Sequence, residues 1–376
     1  MSFQKYFLRV SVYALTTVSC LFANPILSQS NAFLADVGDT PPNITPGDVK
    51  QELQLAGDYM AGRGVPRSPT LSAYWYRKAA DHGLPAAQVQ LGYLYLAGLG
   101  VERDVAQAAK WFERAAASGS NEGKLNVAVM YLRGQGIAQD QRLGFEMIQE
   151  LADKQFPRAE DYLGVLYLLG VGTETNPEKA EKWFERSANH HSPEGEYSMG
   201  TLYSVTVGHS HDFARAADYL RRSANGGYVS GMHSLGLLLV NHPEVNQQPG
   251  EALHWLQTAA GGGAYRSSVV LGILARDGRG VPKDASASYQ WFTVAVKQGG
   301  PPAEKLLAND LLAARRILTP EQQSQAEKAA QDWVDAHPHQ DVYLHGNELN
   351  LAYFPLNEVY ATGQDTQPTD RGTTRN

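Results

Sequence analysis

Cysteine is the scarcest residue of this 376-residue chain, because Cys20 is its only thiol. A single cysteine excludes a disulfide framework within the chain and a metal site built from cysteine pairs. The folded chain therefore has to be stabilised by the packing of its side chains and not by covalent cross-links.

Recognisable catalytic motifs are missing as well. The sequence has no Gly-x-Ser-x-Gly elbow, no His-Glu-x-x-His, no Cys-x-x-Cys and no phosphate-binding loop. Histidines do cluster at His190-His191 and at His209-Ser210-His211, and imidazole suits zinc or copper. The two segments could equally be solvated loops at opposite edges of the protein. We predict no catalytic residue, no cofactor and no bound metal.

Acidic residues are absent from residues 1–32. There, Lys5 and Arg9 precede an apolar stretch that runs from Val10 to Ala23, and small residues follow it. A basic start, an apolar stretch too short for a comfortable membrane span and a small-residue end are typical of a secretory signal peptide. We predict cleavage after Ala23 or Ala32, with an uncleaved membrane anchor as the alternative.

Export follows from that prediction: the mature protein should be periplasmic or secreted, without a membrane span. Thr17-Val18-Ser19-Cys20 resembles a weak lipoprotein box, but a Leu-like residue is expected where Thr17 stands, so lipid anchoring at Cys20 is the less favoured alternative. The chain has 32 basic and 39 acidic residues, a formal net charge of −7. A mildly acidic chain without a basic stripe is a poor nucleic-acid binder.

What the sequence does contain is a 36-residue register that runs from about residue 50 to about residue 300 without an insertion or deletion. Four columns keep this step, and such self-similarity is the signature of a solenoid of repeats. A column of small residues holds Ala56, Gly92, Ala128, Gly164, Gly200, Gly236 and Gly272. A column of large residues holds Trp75, Trp111, Met147, Trp183, Tyr219, Trp255 and Trp291.

Each repeat reads as two short helices joined by a glycine turn. In the second repeat, apolar or small residues recur at helical spacing before and after Gly98-Leu99-Gly100-Val101. Paired glycines permit the positive φ that ends a helix. We expect the small residue at Gly92 to let the two helices approach, with the large side chain at Trp111 filling the space beside it.

The pattern Leu-Gly-x-x-Tyr, Gly-x-Gly-Val, Ala-x-x-Trp-Phe-x-x-Ala-Ala-x-x-Gly resembles the Sel1-like repeat, a relative of the tetratricopeptide repeat. The resemblance implies an all-α fold, an α/α solenoid wound as a right-handed superhelix of helix-turn-helix units. It also implies protein–protein contact, without naming a partner. Some cysteine-rich members of this family carry a β-lactamase description, but they have a cysteine pair in each repeat, which is absent here.

The domain organisation follows from the register. We predict a signal peptide (1–32), a linker (33–48), seven repeats (49–300), a half repeat with a capping helix (301–338) and a loop-like, aromatic tail whose end has a disordered composition (339–376). The capping helix should begin at the capping box Thr319-Pro320-Glu321-Gln322. In the sixth repeat His242 and Glu244 replace both turn glycines, so that turn should have a different shape.

These features favour an exported, non-catalytic adaptor of the cell envelope that binds a protein or peptide. An envelope hydrolase, β-lactamase-like or wall-active, is the alternative. If the first helices line a groove as in tetratricopeptide arrays, the face three residues before, one after and four after the Gly92 column should bind the partner. The positions we single out are Tyr93, Val129, Asp161, Tyr197, Thr201, His233 and Arg276.

Two questions about that groove stay open in the sequence. A tight superhelix could bury these positions between neighbouring hairpins, which would make them structural. If the groove is open, the aromatic tail from Tyr343 to Tyr360 could occupy it. The identity of the partner and the oligomeric state also stay open.

Overall fold

The computed structural model describes residues 48–204 and 212–337. The signal peptide (1–32), nearly all of the linker (33–48) and the tail (339–376) lie outside them, as do the second histidine pair and the turn of the fifth repeat. The predictions made for those segments, including tail docking, therefore stay predictions.

The described chain is built from helices that pack in pairs along the sequence, each against the helix before and the helix after it, which confirms the all-α fold. Odd-numbered helices up to α13 are the first helices of the repeats and even-numbered helices are the second. In chain order they are α1 (Val49–Ala61), α2 (Pro69–Asp81), α3 (Pro85–Ala97), α4 (Val105–Ala117), α5 (Asn121–Arg133), α6 (Gln141–Asp153), α7 (Pro157–Leu169), α8 (Pro177–Asn189), α9 (Pro193–Ser204), α10 (Phe213–Asn225), α11 (Val229–Asn241), α12 (Glu251–Gly261), α13 (Tyr265–Asp277), α14 (Ala285–Ile317) and α15 (Pro320–Ala336).

First helices lie on the inner side of the stack. Along the array, α3 contacts α5, α7 contacts α9, α9 contacts α11, and α11 contacts α13. Within the described ranges, no comparable contact joins one second helix to the next. The side on which successive helices approach each other most closely is the inside of a curve, so the first helices line the inner face.

The glycine column is filled by a different residue from the one the sequence predicts. A Cβ added at Gly92 would lie 2.6 Å from a ring carbon of Phe112, one residue after Trp111. The same relation joins Gly164 to Phe184, at 2.5 Å. Our expectation for Trp111 was therefore wrong by one residue. Trp111 is itself buried, as is Trp75 of the same column in the first repeat.

The turn between the two helices of a repeat, and the residue that caps the second helix, recur as regularly as the core residues. Both turn glycines of the second repeat have positive φ, 70° at Gly98 and 68° at Gly100. The residue before the second helix then caps it: the side chain of Asp104 accepts a hydrogen bond from the backbone N–H of Gln107. This capping column was overlooked in the sequence, and it holds Ser68, Asp104, Asp140, Asn176, Asp212 and Asp284.

The sixth repeat has the different turn that its sequence predicts. A 3-10 helix, Pro243–Val245, replaces the glycine turn, and α12 begins at Glu251, behind Gly250 in the left-handed conformation. A largely buried ion pair fixes this arrangement, because Arg221 Nε lies 2.6 Å from Glu251 Oε1. The 36-residue register is restored within α12, where Leu256 packs on Gly236 as Phe112 does on Gly92.

At the C-terminal end of the described residues, two further helical segments extend the stack. Gly300, at φ 58° and ψ −147°, divides α14 into the second helix of the seventh repeat and the helix of the half repeat. The predicted capping box is confirmed, since Thr319 and Gln322 cap each other at the start of α15. None of the described helices combines the length and the apolar character needed to cross a membrane.

Candidate functional site

The inner face consists of three columns of the first helices: the positions three before, one after and four after the glycine column. In the first four repeats these side chains are mostly buried, whereas from the fifth repeat onward most are half-buried or exposed. From the fifth repeat onward, the half-buried or exposed members are Tyr197, Thr201, Ser204, Leu237, Val240, Val269, Ile273 and Arg276. We call these eight residues the open face.

The seven residues predicted to bind a partner divide between the two regions. Four are buried, namely Tyr93, Val129, Asp161 and His233. The other three belong to the open face: Tyr197, Thr201 and Arg276. Of these, Arg276 is held by carboxylates, with Nη1 2.6 Å from Asp310 Oδ1 and Nε 2.7 Å from Asp277 Oδ1. Whether a partner touches any of the seven stays a prediction.

Asp161 is a buried carboxyl group on α7, 4 % exposed. Its Oδ1 accepts a hydrogen bond of 2.6 Å from Ser198 Oγ on α9. Burial raises the pKa of Asp161 to about 7, against the smaller, opposing effect of that hydrogen bond. Its column is otherwise apolar or aromatic apart from His233, so Asp161 places an ionisable group inside the packed part of the inner face.

A ladder of charges runs beside Asp161 across three repeats. Arg158 pairs with Glu122 of the preceding repeat, and its Nε lies 3.4 Å from Glu194 Oε1 of the following one. Tyr93 Oη donates a hydrogen bond of 2.8 Å to Glu122 Oε1, which extends the ladder to α3. Alternating charges at 36-residue spacing were visible in the sequence and were missed.

Tyr228 and Tyr162 lie close enough to the buried carboxyl group to feel its charge. The rings of Tyr197 and Tyr228 meet edge to face, with centroids 5.3 Å apart. Burial first, and then the proximity of Tyr197, Asp161 and Glu194, raise the pKa of Tyr228 well above its ordinary value. Burial likewise raises the pKa of Tyr162, the residue after Asp161, to about 12. These hydroxyls stay protonated in neutral solution.

Two histidines of the described ranges are each held by a side chain of another helix. His233 Nδ1 lies 2.7 Å from Ser267 Oγ, and burial lowers the pKa of His233 to about 4, so its ring is neutral. His190 Nδ1 lies 2.8 Å from the fully buried Glu160, whose other oxygen is 2.7 Å from Arg186. Within the described ranges, no group of three or more metal-binding side chains converges on one point.

The Sel1 repeat family model matches this chain in seven segments. They cover residues 52–84, 85–120, 122–156, 157–192, 193–228, 229–263 and 270–300. Each segment contains one pair of helices, or most of one, so the family match and the structural repeats coincide. The comparison with curated proteins found no match.

Several solved structures are similar to this chain, two of which are described as Sel1 repeat or SLR-fold proteins. A Sel1 repeat protein from Oxalobacter formigenes is 27% identical, with 69% of this chain and 75% of that chain covered at a TM-score of 0.47. A protective antigen of uropathogenic Escherichia coli is 25% identical, with 81% and 72% covered at 0.38. An immunity protein from Pseudomonas aeruginosa is 19% identical, with 57% and 81% covered at 0.40.

Proposed function

The chain belongs to the Sel1 repeat family, and from that premise we propose that it is an exported, non-catalytic scaffold that binds a partner protein on its open face. Seven repeats give it a long surface built from one repeated unit. The observation that carries the proposal is the change along the inner face, from mostly buried side chains in the first four repeats to mostly half-buried or exposed ones in the last three.

The composition of the open face suits a peptide or a helix of another protein. Leu237, Val240 and Ile273 offer apolar contact, and Thr201 and Ser204 add hydroxyl groups. An apolar strip with polar groups at its margin is the surface on which amphipathic helices dock. Their alignment on successive helices lets one extended partner touch several repeats at once.

A binding role is also favoured by how the ionisable groups of the inner face are used. Arg158 pairs with both Glu122 and Glu194, and His233 is neutral and bonded to Ser267. A hydrolase needs a nucleophile or a water held beside a free base. These groups instead hold neighbouring repeats together.

Site-specific photocrosslinking tests the proposed face. Benzoylphenylalanine placed at Leu237, in cells that make the protein, should form an adduct with one discrete protein, because this half-buried side chain lies within the open face. The matched control is Lys182, which is exposed on α8, a second helix. The adduct, identified by mass spectrometry, should form from Leu237 and not from Lys182. Adducts from Lys182 alone, or from neither position, would refute a partner on the open face.

Export is tested by the N-terminus of the protein isolated from its cells. The composition of residues 1–32 supports a signal peptide, so we expect the mature chain to begin at Asn24 or Phe33 and to be recovered outside the cytoplasm. N-terminal sequencing of each cell fraction measures this directly. Recovery of the chain in the cytoplasm with Met1 intact would contradict the proposed location.

A further inference from the structure

We propose that the aromatic tail of this chain, from Tyr343 to Tyr360, packs into a groove at the C-terminal end of the described stack, with Phe354 against Ala308. The groove lies between the two segments of α14, beside α15, and we call it the terminal groove. This contact goes beyond the proposed function. None of the residues that line the groove belongs to the open face, and its occupant is part of the same chain.

The first observation is that the column of small residues ends on an uncovered position. The 36-residue step from Gly272 leads to Ala308, on the segment of α14 that follows Gly300. The seven earlier members of this column are all buried, whereas Ala308 is exposed. The half repeat therefore presents, uncovered, the surface on which a second helix packs in each complete repeat.

Within the described part of the chain, the half repeat does not supply the side chain that fills this space elsewhere. Where the column holds glycine, the residue 20 positions later packs on it, as Phe112 does on Gly92. The residue 20 positions after Ala308 is Lys328, which is exposed on α15. The capping helix α15 thus leaves the place of the usual Phe or Leu side chain open.

A groove of about 470 Å³ lies at this position. Its apolar lining consists of Val296, Ala308, Leu311 and Leu312. Large apolar side chains are also exposed along the same segment of α14, with Leu306 59%, Leu312 50% and Ile317 73% exposed. Apolar surface gathered in this way on one helix marks a place that another segment covers.

The end of the described chain lies beside the terminal groove. Lys297, which lines the groove, donates a hydrogen bond of 2.7 Å from its Nζ to Gln331 Oε1 on α15. His337 ends the described residues six positions later, which is about 9 Å of helix. Tyr343 is six residues further on, and an extended chain of that length spans about 20 Å. The tail can therefore reach the groove without any rearrangement of the stack.

The tail also carries the kind of side chain that fills the column elsewhere. In three repeats the filling residue is the second of two adjacent aromatic residues: Trp111-Phe112, Trp183-Phe184 and Trp291-Phe292. Between residues 338 and 376 the one such pair is Tyr353-Phe354, with Leu351 and Leu356 on either side of it. Phe354 is therefore the residue that we place against Ala308.

Photocrosslinking from within the groove tests this contact in the purified protein with its complete tail. Benzoylphenylalanine at Leu312, which is half exposed and lines the groove, should form an adduct with residues 343–360, mapped by mass spectrometry. An equal mixture of chains with natural and with heavy nitrogen separates adducts within one chain from adducts between two, and we expect the former. The matched control is benzoylphenylalanine at Leu143, an exposed leucine on α6, which should form no adduct with the tail.

Three changes to the tail sharpen the test. Phe354→Ala should lower the yield of the adduct several-fold, whereas Phe354→Leu should retain it, because Leu220 and Leu256 fill the same space in the fifth and sixth repeats. Removal of residues 361–376, which hold no aromatic residue, should leave the yield unchanged. Adducts between two chains, no adduct with the tail, or an unchanged yield from Phe354→Ala would each overturn the proposal.

Discussion

Replacing Gly100 with alanine should lower the free energy of unfolding by about 3–5 kcal/mol, while the same change at Gly64 should cost only about 1 kcal/mol. The two glycines are equivalent turn residues, with φ of 68° and 71°. An added Cβ at Gly100 would lie 2.0 Å from the carbonyl oxygen of Pro69, in the preceding repeat. At Gly64 it would meet nothing within 4 Å.

Both variants share the strain of a side chain at positive φ, so their difference isolates the contact between repeats. Denaturant unfolding of the native chain and the two variants measures it, with Gly280→Ala as a second control that has open space at φ 70°. Equal losses of unfolding free energy at Gly100 and Gly64 would show that the turn of the second repeat does not press against α2 of the first repeat.

Replacing Asp161 with asparagine should stabilise the protein by about 2–4 kcal/mol at pH 8, and by almost nothing near pH 4. Burial raises the pKa of this carboxyl from 3.8 to about 7. Between those values the unfolded chain releases the proton while the folded chain retains it, so the native protein loses stability as pH rises. Above about pH 7 both states are ionised and the loss is complete. Asparagine stays neutral throughout.

Unfolding free energies of the native chain and the variant across this range measure the effect. Asparagine keeps the size of the side chain and an oxygen that can accept the hydrogen bond from Ser198, so any difference reports charge. Asp332→Asn, at an exposed site on α15, should change the free energy of unfolding by less than about 0.5 kcal/mol at every pH in this range. Parallel pH curves for the native chain and Asp161→Asn would contradict a raised pKa.

The fold was predictable because a single 36-residue period recurs through most of the sequence. A 36-residue repeat with two apolar stripes and a glycine turn is consistent with paired helices, and the capping box at Thr319 marked the start of the last described helix. Packing partners were harder to assign. Trp111 and Phe112 both face the interior, and helical periodicity alone does not tell which of two adjacent side chains enters the space at Gly92.

The candidate site was predictable only in part. The repeat columns of the sequence located the inner face, and Asp161 and Tyr197 were among the residues predicted to bind a partner. The opening of that face at the fifth repeat could not be read from columns, because burial depends on which side chains of neighbouring helices cover a position. Charge pairs at 36-residue spacing, such as Glu122 with Arg158, could have been found by asking what each column places beside the next.

The altered turn of the sixth repeat shows how such an array accommodates change. Its connection differs in backbone geometry and in where the second helix starts, yet Leu256 still packs on Gly236 as Phe112 does on Gly92. The lengths of the repeats on either side are unaffected. Helix packing and turn shape are thus separable variables in this chain. A turn can be redesigned, or exchanged during evolution, to carry a new surface while the repeats beyond it keep their places.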